Sequence, residues 1–198
     1  MSARAFILLA SFGVCLLRPG FARAESDYRL DTSVSWGLTR AFASDLGSAR
    51  ESSSTNGGLG WSLRATLSLP HPVAPFVAFG STALYRSDEQ VDLGDRGGRA
   101  VAHNRLGARY GILGPAVPLG PVRVWAGLAL YELLVESSVL GARAAVSDIT
   151  MGYAAGATWF FFDRPALRTG VQTRVLLMSE AELAAMQVGL TLSYGFDL

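Results

Sequence analysis

The sequence predicts an all-β protein, an eight-stranded antiparallel up-and-down transmembrane β-barrel, and three observations lead to that prediction. Hydrophobic residues make up 50% of the 198 residues, yet no apolar run reaches the roughly 18–20 residues that a membrane-spanning helix requires. Apolar residues instead alternate with small or polar ones along segments of about ten residues, the length at which a tilted strand crosses a bilayer. The 22 glycines suit tight turns and a crowded barrel interior.

The last fourteen residues, 185–198, alternate without a break and predict the closing strand. Side chains of a strand point to opposite faces with a period of two, so one face here is apolar and the other is small or polar. This division fits a wall with lipid outside and a polar lumen inside. The apolar face carries Met186, Val188, Leu190, Leu192, Tyr194, Phe196 and Leu198.

This C-terminal strand resembles the closing strand of Gram-negative outer-membrane β-barrels, which the barrel-assembly machinery reads. In that family the signal is a polar residue, a glycine two positions later, and hydrophobic or aromatic residues three and five positions beyond the glycine. The matching residues here are Gln187, Gly189, Leu192 and Tyr194. The family often ends on Phe, whereas this chain ends on Leu198. The resemblance implies that the barrel-assembly machinery and outer-membrane lipid are partners and that the protein lies in the cell outer membrane.

Seven further strands precede the closing strand, and alternation places them at 25–41, 59–69, 76–87, 102–113, 122–135, 148–162 and 167–177. The connections between them alternate between long polar loops and short turns. We expect long loops at 44–58, 88–99 and 136–147, and short turns at 70–75, 114–121 and 163–166. In outer-membrane barrels the short turns lie on the periplasmic side and the long loops outside.

The facing of the third and fifth strands depends on weaker patterns, whereas that of the fourth follows from its alternation. In the third strand we expect Val77, Phe79, Ala83 and Tyr85 to face outward. In the fourth we expect an outward face of Leu106, Ala108, Tyr110 and Ile112. In the fifth, an outward face of Val122, Val124, Ala126, Leu128 and Leu130 sends Trp125 and Tyr131 inward, a conflict that the sequence leaves open.

Residues 1–24 are predicted to be a secretory signal peptide, and residues 25–198 the barrel domain. Arg4 provides a positive start, residues 5–17 an apolar core, and Ala22-Arg23-Ala24 a small-x-small cleavage site. The only cysteine, Cys15, lies inside this segment, so the predicted mature chain cannot form a disulfide. All 17 basic residues are Arg. Three of them lie in residues 1–24, whereas all 16 acidic residues lie in residues 25–198, which gives the predicted mature chain a net charge of −2. That charge does not indicate a nucleic-acid surface.

Charged residues accumulate on the faces that we predict to line the lumen, and they are our candidate site residues. They are Asp31, Arg64, Arg105, Arg109, Arg123, Arg168 and Arg174. Charges buried in a narrow barrel must be paired, hydrogen-bonded or hydrated, so these residues fit a structural network that fills the lumen. Rings of Arg also favour anions, so a thin anion-preferring conduit is the alternative.

The predicted mature chain is similar in pattern and size to the OmpA transmembrane domain and OmpX families. That resemblance implies a structural or surface-interaction role, with a lumen filled by polar and Arg side chains and an extracellular ligand bound through the loops. A narrow anion-preferring channel is the second hypothesis and a lipid A-modifying enzyme the third. His103 does not resemble the His-x-Ser-Asn pattern of the lipid A deacylase family, and no metal-ligand spacing occurs. We therefore predict no enzyme, no cofactor and no metal.

Overall fold

The computed structural model describes residues 28–43, 53–92, 98–164, 166–179 and 183–198. Its strands are β1 Arg29–Ala43, β2 Ser53–Thr55, β3 Gly58–Ser68, β4 Ala74–Asp92, β5 Arg99–Leu119, β6 Val122–Val139, β7 Ala142–Asp163, β8 Leu167–Met178 and β9 Leu183–Asp197. Among these residues, none forms a helix that is long and apolar enough to cross a membrane. The predicted signal peptide lies outside the described residues.

Eight of these strands form one closed antiparallel ring. The order is β4-β3-β1-β9-β8-β7-β6-β5, and pairing of β4 with β5 closes it. The predicted closing strand, β9, pairs with β1 along its whole length, from Arg29–Asp197 to Ala43–Leu183. The short β2 pairs only with the end of β4 and is not part of the ring. The predicted eight-stranded antiparallel up-and-down barrel is therefore confirmed.

The outer surface of the ring is apolar, as expected from the alternation. Large exposed side chains on it include Leu38, Leu59, Leu128, Met151 and Leu190. The inner face is largely sealed from solvent and mixes polar with apolar groups. The faces predicted for β1, β3, β7, β8 and β9 agree with the observed burial along those strands.

The third predicted strand, now β4, keeps its predicted facing only up to Ala83. Its register with β5 shifts between Ala83 and Tyr85, which is the signature of a β-bulge. Leu84 keeps the inward facing of the preceding even-numbered residues and is fully buried in the bore, whereas the bulge leaves Tyr85 half-buried rather than outward.

The facing predicted for the fourth strand, now β5, is wrong. Ala108, Tyr110 and Ile112 are buried in the bore, and Arg105 and Arg109 are exposed on the outer surface. Tyr110 is inside because Gly80 on the neighbouring strand makes room for its ring. A Cβ atom at Gly80 would lie 2.8 Å from the Tyr110 ring carbon Cζ.

The conflict in the fifth predicted strand, now β6, resolves in favour of inward aromatics. Trp125 and Tyr131 are buried in the bore, and Leu128 and Leu130 are exposed outside. Both inner rings again lie against a glycine of the neighbouring strand: a Cβ at Gly156 would lie 2.6 Å from Trp125, and one at Gly152 would lie 3.1 Å from Tyr131.

Three predicted connections are shorter than expected because strands continue through them. The predicted loop 88–99 is shortened because β4 continues to Asp92 and β5 begins at Arg99. The predicted loop 136–147 is a hairpin with the two-residue turn Leu140-Gly141. Both turn residues have positive φ, 49° and 84°, as a type I′ hairpin turn requires. At the other end β5 continues to Leu119, so the predicted turn 114–121 is reduced to Gly120-Pro121.

Four neighbouring strands are much longer than the others and extend past the ring. β4, β5, β6 and β7 have 19, 21, 18 and 22 residues, against 11 in β3 and 12 in β8. We call their outer parts the protruding sheet: residues 86–92, 99–105, 134–139 and 142–149. It stands at the end of the barrel opposite the short turns.

We expect Gly80→Val to destabilise the barrel, because the new side chain would collide with the Trp61 carbonyl oxygen and with the Tyr110 ring in a filled bore. Overpacking of this kind costs about 1–3 kcal/mol. The matched control is Gly111→Val on the outer face, where a Cβ would meet no atom within 4 Å. Urea unfolding in detergent, and migration of unheated samples in SDS gels, would measure both. Equal stability of the two variants would contradict the inward placement of Tyr110.

Candidate functional site

A cluster of charged side chains occupies the end of the bore beside the short turns. Its centre is the Asp31 carboxylate on β1, which is 2% exposed. Arg123 Nη2 donates to Asp31 Oδ2 at 2.7 Å, and Arg29 Nε donates to Asp31 Oδ1 at 3.0 Å. Arg168 Nη1 lies 3.6 Å from Asp31 Oδ2, while its Nε lies 2.8 Å from Asp163 Oδ1. One buried carboxylate therefore serves three guanidinium groups.

Aromatic rings supply the negative charge density that this cluster lacks. The Arg123 and Arg168 guanidinium carbons lie 5.7 and 5.8 Å from the centre of the Phe160 ring. The face of an aromatic ring attracts a cation within about 6 Å. Phe160 faces inward with the other even-numbered residues of β7, and the register of β7 with β8 shifts just beyond it, between Phe160 and Phe162.

Further along the bore, Arg64 is held by rings without any carboxylate. Its guanidinium carbon lies 4.4 Å from the Trp125 ring centre and 5.3 Å from that of Phe76. Phe76 and Trp125 pack edge to face at 5.4 Å. Arg64 Nε and Trp125 Nε1 are buried and have no hydrogen-bond partner in the described residues. Arg64 is thus stabilised by cation–π contacts instead of by ion pairing.

Arg174 occupies the next level of the bore. Its Nε donates to Gln187 Oε1, and its guanidinium carbon lies 5.0 Å from the Tyr110 ring centre. Gln187 in turn donates to the Gly37 carbonyl at 3.4 Å. A cavity of about 10 Å³ adjoins Arg174 and Gln187, which is about the space for one water molecule.

The outer half of the bore is mostly apolar, although Thr39, Thr82 and Thr150 are also buried there, so polar and Arg side chains do not fill the whole lumen as predicted. Tyr131 crosses it and donates to the Tyr153 carbonyl at 2.8 Å. The residues that fill it are all buried: Ala41, Leu84, Ala108, Tyr131, Leu176, Met178, Leu183 and Ala185. We call this set the apolar plug. It separates the arginine-rich half of the bore from the protruding sheet.

The predicted lumen residues therefore divide into two groups. Asp31, Arg64, Arg123 and Arg174 are buried on the inner face, and Arg168 is partly buried beside Asp31. Arg105 and Arg109 are the corrections: they face outward because β5 turns its apolar side to the bore. Arg109 Nη1 lies 3.5 Å from Glu132 Oε2 on the outer wall. The sequence analysis did not name Arg29 and Phe160 as site residues, although alternation places them on the same inner faces as Asp31 and Thr158, and it left the facing of Trp125 open.

The four residues of the closing-strand signal lie on both faces of β9. Gln187 is buried beside Arg174, and Gly189 faces Gly37 across the β1–β9 pair. Leu192 and Tyr194 are exposed on the outer wall. Their recognition by the assembly machinery remains a prediction.

The two histidines lie outside the bore. His71 accepts a hydrogen bond from the Val73 N–H at 3.3 Å in a tight turn. His103, on the protruding sheet, lies 2.7 Å from Asp88, and this hydrogen bond holds the pKa of the Asp88 carboxyl below its ordinary value. Ser138 is the cross-strand neighbour of His103, so the register brings acid, imidazole and hydroxyl into one row. No hydrogen bond joins His103 to Ser138 in the described structure.

The protruding sheet has an open edge along β7. Residues 142–151 pair with β6, whereas the pairing of β7 with β8 begins only at Gly152–Met178. Within the described residues, 142–150 thus have no strand partner on their second side. All residues from 141 to 149 are exposed, including Val146 and Ile149.

Solved structures with a similar fold are small outer-membrane barrels. The chain is similar to Ail, the attachment invasion locus protein of Yersinia pestis, crystallised with the heparin analogue sucrose octasulfate: TM-score 0.58 and 12% identity, over 86% of this chain and 99% of that one. A second structure of Ail gives a TM-score of 0.56 at 12% identity, over 87% of this chain and all of that one. No protein-family profile and no curated protein sequence matches the chain. The chain thus has the fold of the small eight-stranded outer-membrane barrels, to which the OmpA transmembrane domain and OmpX belong.

We expect Asp31→Asn to destabilise the barrel by about 3–5 kcal/mol, because it leaves buried guanidinium groups without their carboxylate. Arg109→Gln, which removes an exposed ion pair on the outer wall, should cost at most about 1 kcal/mol. Urea titration followed by tryptophan fluorescence in detergent measures both. Our assignment of Asp31 as the centre of the network fails if the two variants unfold at the same urea concentration.

Proposed function

We propose that the protein is an outer-membrane barrel with a closed bore, and that it binds a partner protein at its outer end through the open edge of β7. The observation that carries this proposal is the combination of a filled barrel with a sheet that extends beyond it on one side only. The barrel supplies the anchor, and the protruding sheet supplies the binding surface.

The apolar outer wall supports the outer-membrane location. Exposed aromatic residues gather at the end with the short turns, where Trp159 packs on Phe161 and Tyr194 packs on Phe196. Aromatic rings favour the boundary between membrane and water. A closed ring also satisfies its backbone hydrogen bonds internally, which the hydrocarbon core demands.

The contents of the bore argue against the anion-channel hypothesis. The buried arginines are engaged by Asp31, by Gln187 and by aromatic rings, so they do not line an open aqueous path. Above them the apolar plug fills the cross-section with fully buried side chains such as Leu84 and Leu176. A barrel of eight strands has an interior that side chains can just fill.

The open edge of β7 supports the binding role. An unpaired strand edge presents N–H and C=O groups that an extended segment of another protein can pair with. Its neighbours include the exposed apolar residues Leu140, Val146 and Ile149, which would be a hazard on a surface without a function. Asp148 accepts the Ile149 N–H at 2.9 Å, so one donor of this segment is already occupied.

We propose no enzymatic role. Activation of a serine nucleophile requires its hydroxyl to bond the imidazole, and the row of Asp88, His103 and Ser138 lacks that bond. The His103 ring instead makes its hydrogen bond with Asp88 on β4.

Planar-bilayer recordings test the closed bore. We expect the refolded wild-type protein to give no conductance steps, because the apolar plug leaves no hydrated path. Leu84→Ala with Leu176→Ala should also give no conductance steps but lose about 2–5 kcal/mol of stability for each truncated leucine. Anion-selective steps from the wild type would restore the channel hypothesis.

Selection of extended peptides tests the open edge. Peptides of twelve residues, selected from a phage library on the protein in nanodiscs, should slow hydrogen exchange at residues 142–150. A shortened variant replaces residues 136–145 by Asn-Gly. The two new residues form a turn that joins the paired residues Val135 and Val146, so much of the open edge is removed. We expect this variant to lose peptide binding at least tenfold.

The matched control for that experiment is Leu140→Asn. Asn tolerates the positive φ of this turn position, so the hairpin and its edge stay intact. Peptides that bind the shortened hairpin as well as they bind Leu140→Asn would refute strand addition at β7.

A further inference from the structure

A groove runs along the outer wall where β4, β5 and β6 leave the barrel. It consists of two adjoining cavities of about 660 and 310 Å³, which share Arg86, Arg105 and Glu136 in their walls. Cavities of about 300–1,000 Å³ are typical of small-molecule sites. We call the pair the outer groove. It lies outside the bore, and its upper cavity adjoins the open edge of β7 at Arg143, Ala144 and Ala145.

The lower cavity, which is nearer the barrel, has a glycine in its floor and walls that combine apolar residues with Ser81, Thr82 and Tyr85. Leu59, Ala83, Leu134 and Gly107 line it. Gly107 is not held to glycine by its backbone: a Cβ there would meet only the Thr82 carbonyl oxygen, at 3.5 Å. The absent side chain, together with the bulge at Leu84, leaves an indentation in the wall.

The upper cavity is cationic. Arg86, Arg105 and Arg143 line it together with His103, and Glu136 is the one carboxylate among its described lining residues. Arg86 lies 4.0 Å from Asp88, a long contact for an ion pair. Arg105 and Arg143 form no salt bridge with a described carboxylate. Guanidinium groups with free donors bind phosphate in a bidentate manner.

The register places this change from apolar to cationic at the outer boundary of the membrane. Ten residues separate Leu119, at a short turn, from Arg109 on β5. At about 3.3 Å per residue and a tilt of about 40°, they rise about 25 Å, the height of the apolar band of such barrels. Arg105 lies four residues further out, about 10 Å above that level and within the headgroup layer.

We propose that the outer groove binds an anionic glycolipid of the outer leaflet. The lower cavity receives the upper part of an acyl chain, and the phosphate on its sugar lies among Arg86, Arg105 and Arg143. The proposal rests on the proposed outer-membrane location but is independent of the strand-edge partner. The lower cavity lies just above the Arg109–Glu132 ion pair of the outer wall, and charge complementarity selects the anionic headgroup.

A lipid explains both cavities, whereas a soluble anion explains only the upper one. A phosphorylated sugar free in solution would gain nothing from Leu59, Ala83 and Leu134. An uncharged lipid would leave the guanidinium groups of Arg105 and Arg143 without a counter-charge. The two adjoining cavities therefore fit an amphipathic ligand. Its apolar part lies in the lower cavity and its negatively charged part in the upper one.

The first arm of the test removes the charge. The refolded protein in a zwitterionic detergent is titrated with bisphosphorylated lipid A, and the bound lipid is counted by native mass spectrometry. We expect one tightly held lipid in the wild type and at least tenfold weaker binding in the double variant Arg86→Gln, Arg105→Gln. The matched control is Arg40→Gln on β1, an exposed arginine that lies over Phe42 at 5.7 Å, outside the groove. Equal retention in the double variant and the control would overturn the proposal.

The second arm fills the apolar cavity without changing charge. Gly107→Leu should weaken lipid A binding at least tenfold, because its side chain occupies the floor of the groove. Gly111→Leu adds the same side chain to the same face of β5, outside the groove, and should bind as the wild type does. Gly107→Leu with unchanged affinity would overturn the acyl-chain placement.

The third arm distinguishes the sources of the anion. Dephosphorylated lipid A should bind at least tenfold more weakly, and inositol hexaphosphate should not compete at equal concentration. Competition at equal concentration would identify a soluble polyanion site and overturn the lipid proposal. Selected peptides should still bind Arg86→Gln, Arg105→Gln and Gly107→Leu, so a failure of the groove is separable from a failure of the strand edge.

Discussion

Pairing of the first barrel strand with the last is the constraint on which the rest of the structure depends. β1 and β9 pair from Arg29–Asp197 to Ala43–Leu183, and this seam leaves the ring without an open edge. In hydrocarbon each unsatisfied backbone group costs several kcal/mol, so only a closed ring tolerates a lipid environment. Closure also fixes the width of the bore, and with eight strands that width is small enough for side chains to fill. Outer wall, bore and protruding sheet all follow from it.

In a bore of this width, most of the buried arginine charges are stabilised by groups other than carboxylates. A single buried carboxylate, Asp31, serves the cluster near the short turns, while Arg64 and Arg174 rely on Trp125, Phe76, Tyr110 and Gln187. Ring faces can offset a buried cation without adding another charge that needs desolvation. They also occupy volume, so the groups that stabilise the arginines are the groups that close the lower bore. The same aromatic side chains therefore stabilise the buried arginines and close the lower bore.

The period-two alternation predicted the fold, because it needs only the order of residues within each strand. It did not predict the facing of β5, because that depends on pairs of strands. Tyr110, Tyr131 and Trp125 each lie over a glycine of the neighbouring strand: Gly80, Gly152 and Gly156. These large rings face inward at places where the adjacent strand lacks a side chain. The sequence of one strand alone does not show which residue of the adjacent strand lies beside each ring. The hairpin at Leu140-Gly141 escaped prediction for a related reason. Outside the membrane both faces of β6 and β7 are exposed, so their residues need not alternate.

The reversal of β5 changes the chemistry assigned to its arginines. Facing inward, Arg105 and Arg109 would have contributed to a ring of positive charge around a conduit. Facing outward, Arg109 pairs with Glu132 at the membrane boundary, and Arg105 joins Arg86 and Arg143 above it. An anion attracted by these groups approaches from the lipid side and does not pass through the barrel. The same reversal brings Gly107 to the outer surface, and its missing side chain forms the indentation beneath the arginines. One change of facing thus removes an argument for transport and creates an amphipathic groove at the level where anionic headgroups lie.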